Sequence, residues 1–134
     1  MIIVDDRLCV EALAGRPITG SSPATVVATT WGFHFRLLRA LADDRTIGAL
    51  TRATPDDIRR GAANPSPGLL FVLDPRPSTA LAAEVAVRHG LNLLASEMVA
   101  AAKLHSARVV LSAANVGRRW REVLDAEGIS LHVV

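Results

Sequence analysis

Apolar residues recur along this chain in two rhythms. Of the short unbroken runs, "IIVD" (2–5) reads as a parallel strand buried on both faces, "LLFVLDP" (69–75) as a second buried strand, and "RVVLS" (108–112) and "ISLHVV" (129–134) as the third and last strands. Between them the apolar positions fall three and four apart, the spacing of one helix face. "RLCVEALAG" (7–15) carries Leu8, Ala12 and Leu13 at that spacing and closes on Gly15. "WGFHFRLLRALADD" (31–44) is expected to be helical because Phe33, Leu37, Leu38 and Leu41 share a face. "TPDDIRR" (54–60) starts a further helix, with Thr54 as N-cap, Pro55 in the first turn, and Asp56 and Asp57 at the positive end. "STALAAEVAVRHG" (78–90), the Ala-rich "LLASEMVAAAKLHSA" (93–107) and "NVGRRWREVLDAEG" (115–128) complete the helices. "ATVVATT" (24–30) stays open between a short strand and the entry to the next helix.

The resulting order, β-α-α-α-β-α-α-β-α-β, predicts an α/β fold: a central parallel sheet with helices on both faces, in three layers. No internal repeat or linker interrupts it, so residues 1–134 are expected to form a single domain. Half of the residues are hydrophobic but only 4% are aromatic, so the core must come mainly from Ala, Val and Leu. No apolar run reaches the roughly 18 residues of a membrane span. "MIIVDD" has no basic start and meets acid at once, unlike a secretory signal. A cytoplasmic location is therefore expected. The single Cys9 excludes an internal disulfide and a cysteine zinc cluster. A net charge of +2 is too even to argue nucleic-acid binding by itself, although 14 of the 15 basic residues are Arg, with Lys103 the exception.

Ligands of an open parallel sheet bind at the carboxyl ends of its strands. Three places there could carry chemistry: Asp5 and Asp6 after the first strand, Asp74 after the second, and "SAAN" (112–115) after the third. Glu97, near the start of the Ala-rich helix, can point to the same end. Oxygen-bearing side chains converging there would suit Mg²⁺ or Mn²⁺. No GxGxxG follows the first strand and no GxxxxGK[ST] occurs, which argues against a nucleotide cofactor. His34, His89, His105 and His132 lack metal spacing and read as surface or helix-end residues. Cys9 reads as a buried thiol, and Ser21, Ser22 and Ser96 have no base partner that spacing identifies.

The order of elements and several strings resemble the PIN domain, the fold of the VapC toxins of bacterial toxin–antitoxin pairs. "MIIVDDRLCVEALAG" is similar to that family's "hhhhDTSVLhALL" opening and places Asp5 on its first metal-binding aspartate. "LLFVLDPRPSTALAAEVAVRHGLNLLASEMVAAAKL" resembles its strand, helix and "HGLSLADALIAATA" stretch. "VVLSAANVGRRWREVLDAEGISLHVV" resembles its closing "LVTxD", helix and strand. The likeness spans nearly the whole chain and is weakest over residues 16–66. It implies a Mg²⁺- or Mn²⁺-dependent endoribonuclease with three or four acids around the metal, working as a homodimer with an antitoxin whose tail covers the site.

The chain departs from that pattern at several positions. The family's second-helix glutamate has no acidic counterpart, since "WGFHFRLLRAL" offers His34 or Arg36. The aspartate opening the "DALIAATA" helix falls on Ser96 or Glu97, and Asn115 stands where the last aspartate should be. Asp6 and Arg7 replace the usual Thr-Ser pair. Carried over residue by residue, the resemblance implies Asp5 and Glu97 as catalytic acids, with Asn115 and Asp6 as further metal ligands. The bland alternatives are a strand-end role for Asp5, a helix cap for Asp6, a solvent-facing Glu97, and Asn115 as N-cap of the last helix. Arg118, Arg119 and Arg121 around Trp120 are the best candidates for gripping RNA phosphates; the alternative is a solvated face with Trp120 in the core. Trp31, Phe33 and Phe35 gather on one helix, surplus apolar surface that could meet another subunit or a partner peptide. Two functions follow: a VapC-type metal-dependent endoribonuclease with weakened activity, and a PIN-like module that has lost catalysis and acts by binding or regulation.

Overall fold

A computed structural model of the chain describes residues 1–43 and 55–134. Five parallel strands, β1 (Ile2–Val4), β2 (Val27–Thr29), β3 (Phe71–Val72), β4 (Arg108–Leu111) and β5 (Leu131–Val133), form one sheet in the order β3-β2-β1-β4-β5. The helices are α1 (Asp6–Leu13), α2 (Trp31–Ala42), α3 (Pro55–Ala63), α4 (Thr79–His89), α5 (Leu93–Leu104) and α6 (Arg118–Ala126). Single 3₁₀ turns occupy Arg76–Ser78 and Ala113–Asn115.

Successive residues of a strand face opposite sides, and β1 divides the core accordingly. Ile2 and Val4 pack with Leu8, Cys9 and Ala12 of α1, Leu37 and Leu41 of α2, and Ile58 and Ala62 of α3. Ile3 packs on the other side with Val85 of α4, Met98 and Val99 of α5, and Val123 and Leu124 of α6. Helices α1 to α3 therefore cover one face and α4 to α6 the other, the three-layer α/β fold that the periodicity predicts. Helix α5 is buried without a break from Ser96 to Ala102. A helix buried that completely needs small side chains to let neighbours close in, and Ser96, Ala100, Ala101 and Ala102 supply them.

Two element assignments needed the third dimension. "ATVVATT" resolves as a strand, β2, whose Ala28 lies opposite Ile3. The run "LLFVLDP" gives only the two-residue β3 at the sheet edge, where Phe71 is 41% exposed. It is an edge strand and not the buried strand expected, with Phe71 exposed and Val72 half-buried. Helix α6 begins at Arg118 with Gly117 as its N-cap, so Asn115 does not cap it. The expected Thr54 cap and Asp44 lie outside the described residues. Among the described residues, no helix is long and apolar enough to cross a membrane.

Candidate functional site

In this strand order the chain leaves β1 toward β2 on one side, while β4 lies on the other. The carboxyl ends of β1 and β4 thus flank the point where the topology reverses, the usual ligand crevice of open parallel sheets. Asp5 follows β1 and Ser112 follows β4, so strand pairing itself brings them together.

Asp5 is fully buried. Its Oδ1 accepts the backbone N–H of Leu8 at 3.0 Å, which makes Asp5 the N-cap of α1. Its Oδ2 accepts from the Ser112 backbone N–H and the Ser112 hydroxyl, both at 2.8 Å, and from Asn115 Nδ2 at 2.9 Å. A carboxylate offers about four lone-pair positions, and four neutral donors take them. Ser112 opens the "SAAN" stretch that its place after the strand singled out, although the residue itself was assigned no role.

Asp6 does not cap α1, since that position belongs to Asp5. It lies in the first turn and is bound by Arg36 of α2 through two parallel bonds, Nε to Oδ2 at 2.6 Å and Nη2 to Oδ1 at 2.7 Å. Planar, two-bonded pairing of this kind is the strong geometry for Arg and carboxylate. Asn115 joins both acids: its Nδ2 donates to Asp5 and, at 3.0 Å, to Asp6, while its Oδ1 accepts from Arg36 at 2.9 Å. These partners fix which way the amide faces, because only its NH₂ end can donate to two carboxylates. The Arg36 guanidinium also lies 5.1 Å from the centre of the Phe33 ring.

Glu97 is 6% exposed, so it is not the solvent-facing helix residue of the bland reading. Its Oε2 accepts the Gly32 backbone N–H at 2.8 Å, in the first turn of α2, where unpaired N–H groups favour negative charge. Gly32 is what allows this approach: a Cβ there would stand 2.6 Å from Oε2. Glu97 shares no hydrogen bond with Asp5, Asp6 or Asn115. It lines a separate groove of about 450 Å³ with Trp31, Ser78, Ala82, Leu93 and Ser96 among its walls. Sequence reading grouped Asp5, Asp6, Asn115 and Glu97; folding joins the first three and directs the fourth to another helix end.

The four residues do not fit a Mg²⁺ or Mn²⁺ ion. Such an ion needs close-set oxygen ligands at roughly 2.0–2.2 Å, whereas Asp5 faces N–H and O–H donors and the amide turns its NH₂ inward. Arg36 already supplies a positive charge at Asp6. At ~4 Å and an effective dielectric constant of ~20, each pair of like unit charges repels by about 4 kcal/mol, and a divalent ion doubles that. Among the described residues no group of three or more His, Cys, Asp or Glu side chains is placed to hold a metal.

The remaining candidates lie elsewhere. Asp74 is held in its turn by Arg76, whose guanidinium keeps its carboxyl below the usual range. Arg118 pairs with Glu122 one turn on at 2.7 Å, and Arg119 donates to the His89 carbonyl at the end of α4. Arg121 is exposed beside Glu122 and Asp125, and Trp120 packs against the core between them. The Cys9 thiol is buried and pushed up to about 12 by that burial. A third buried acid, Glu127, is met by Arg88 and His89, both at 2.6 Å, and by Lys103. Hydrogen bonds from Lys103 and His89 hold it at about 2. This cluster ties the ends of α4, α5 and α6 together, and nothing in the sequence pointed to it.

No family model matches the chain, and no curated protein matches it. Among solved structures, a chain from FitAB bound to an IR36 DNA fragment is similar at 15% identity, with a TM-score of 0.54. The similarity covers 99% of this chain and 94% of that one. At that identity the likeness speaks for the fold alone, and the fold it supports is PIN-like.

Proposed function

We propose that residues 1–134 act as one PIN-like domain that works by binding and has given up metal-dependent cleavage. The closed network of Asp5, Asn115, Asp6 and Arg36 carries this reading. Both carboxylates and both ends of the Asn115 amide are engaged within the chain, and the network's one cation is a guanidinium. A guanidinium cannot lower the pKa of a bound water as a metal does, so this network does not supply the metal-activated water that the resemblance implies. Exposed apolar side chains support binding: Trp31 and Phe35 stack at 5.5 Å and are each about half exposed, and Leu93 and Val87 are 72% and 86% exposed. A homodimer and an antitoxin-like protein partner suit such a surface. The toxin–antitoxin setting comes from the family resemblance and is part of the proposal.

The nuclease reading keeps one observation in its favour, the burial of Asp5 at the switch point of a PIN-like sheet. It requires Arg36 and Asn115 to leave the acids before metal enters. Incubation with single-stranded RNA and Mn²⁺ tests the two. The binding module leaves RNA intact, and sedimentation shows concentration-dependent self-association weakened by Trp31→Ala. RNA cleavage that needs Mn²⁺ and disappears in Asp5→Ala would overturn it.

A further inference from the structure

We infer that the groove between the start of α2 and the α4–α5 pair is a ligand site for an organic ammonium ion carried on a small apolar body. Its walls are the side chains of Trp31, Ala82, Ala83, Ala86 and Leu93, and its volume of about 450 Å³ lies in the range of small-molecule sites. The hydroxyl donors of those walls are already used. Ser96 Oγ donates to the Leu93 carbonyl, and Ser78 Oγ and Thr79 Oγ1 both donate to the Pro75 carbonyl. Glu97 has an oxygen left over. It is more than nine-tenths buried and uses Oε2 on the Gly32 N–H, while its Oε1 has no partner among the described residues.

A buried carboxylate oxygen without a donor is costly, and this one belongs to a side chain that lines an apolar groove. The chemistry that completes it is an N–H donor, and a positively charged one makes the strongest bond to a carboxylate oxygen. A metal ion does not meet the need, because the groove offers one carboxylate and no second anionic ligand. The rest of the ligand must be apolar to suit the alanines and Leu93. Trp31, at the rim and 49% exposed, adds an aromatic face that attracts cations. The site lies outside the Asp5 network and stands whether or not that network binds metal.

The test is a titration of 2-phenylethylammonium into the ¹⁵N-labelled protein, followed by amide NMR. Gly32, whose N–H is bonded to Glu97, and Ser96 are the reporters. Saturable shifts at both are expected, with a dissociation constant of about 1 mM for so small a probe. The Glu97→Gln variant can still accept from Gly32, so its fold is retained; its affinity is expected to fall about tenfold, the worth of one charged hydrogen bond. Neutral 2-phenylethanol is expected to bind as weakly to the wild type. Equal affinity of the amine for wild type and Glu97→Gln, or of amine and alcohol for wild type, overturns the inference. So does the absence of saturation, the outcome if protein side chains are what fill the groove.

Discussion

Asp5 and Glu97 are both buried carboxylates near the carboxyl ends of the strands, yet the chain treats them in opposite ways. Asp5 receives four neutral donors and is closed off. Glu97 receives one backbone N–H, lines a groove, and has a second oxygen without a partner among the described residues. Burial alone therefore does not mark a working acid; unspent hydrogen-bonding capacity does. Glu127 completes the comparison as an acid satisfied by charge, with three basic side chains around it.

The largest effect should come from removing the closed acid. Asp5→Ala strips the N-cap of α1 and orphans the Ser112 and Asn115 donors, for an expected loss of about 3–4 kcal/mol in urea denaturation. An acid kept for metal binding beside Asp6 would behave oppositely, since its removal relieves like-charge repulsion. A neutral or stabilising Asp5→Ala would therefore break the comparison.

Glu127 supplies a contrast in pH. Its folded value of about 2 lies well below the ordinary glutamate value of 4.5. Because the folded value is depressed, the stability it contributes is present above about 4.5 and is lost as pH falls from there toward 2. Allowing for the solvent around Arg88 and Lys103, about 2 kcal/mol should disappear across that window. Comparing thermal unfolding of the wild type and Glu127→Gln checks this: the difference between them should shrink through that window. A constant difference would remove charge as the explanation.

A smaller effect tests the approach of Glu97 to α2. Gly32→Ala sets a Cβ against Oε2 and should cost about 1–2 kcal/mol. The same change made in a Glu97→Ala background should cost much less, a coupling that a double-mutant cycle measures. Additive costs would mean that Gly32 is required for some other reason.

The layers and helices were legible because buried strands and helix faces leave different periods in a sequence. β2 stayed ambiguous because "ATVVATT" suits a strand by its valines and a helix cap by its final threonine; Thr30 does accept from Phe33 at the start of α2. "LLFVLDP" looked like a central strand because apolar content does not report the number of neighbours. Asp5 was found because it closes the first strand. The Arg36–Asp6 pair was hidden by a separation of 30 residues, although each stood at a departure from the PIN pattern. Two such departures of opposite charge were the readable sign that one compensates the other. Gly32 gave a comparable sign, since glycine in the first turn of an otherwise bulky helix calls for a close neighbour.

The most direct test of the closed crevice is calorimetric titration of Mn²⁺ into the wild type, Asp5→Ala and Arg36→Gln. No saturable binding is expected in the wild type or in Asp5→Ala up to about millimolar metal, where only weak contacts register, and weak binding is expected to appear once Arg36 is removed. Saturable binding by the wild type that Asp5→Ala abolishes would contradict the closed site and restore Asp5 as a metal ligand.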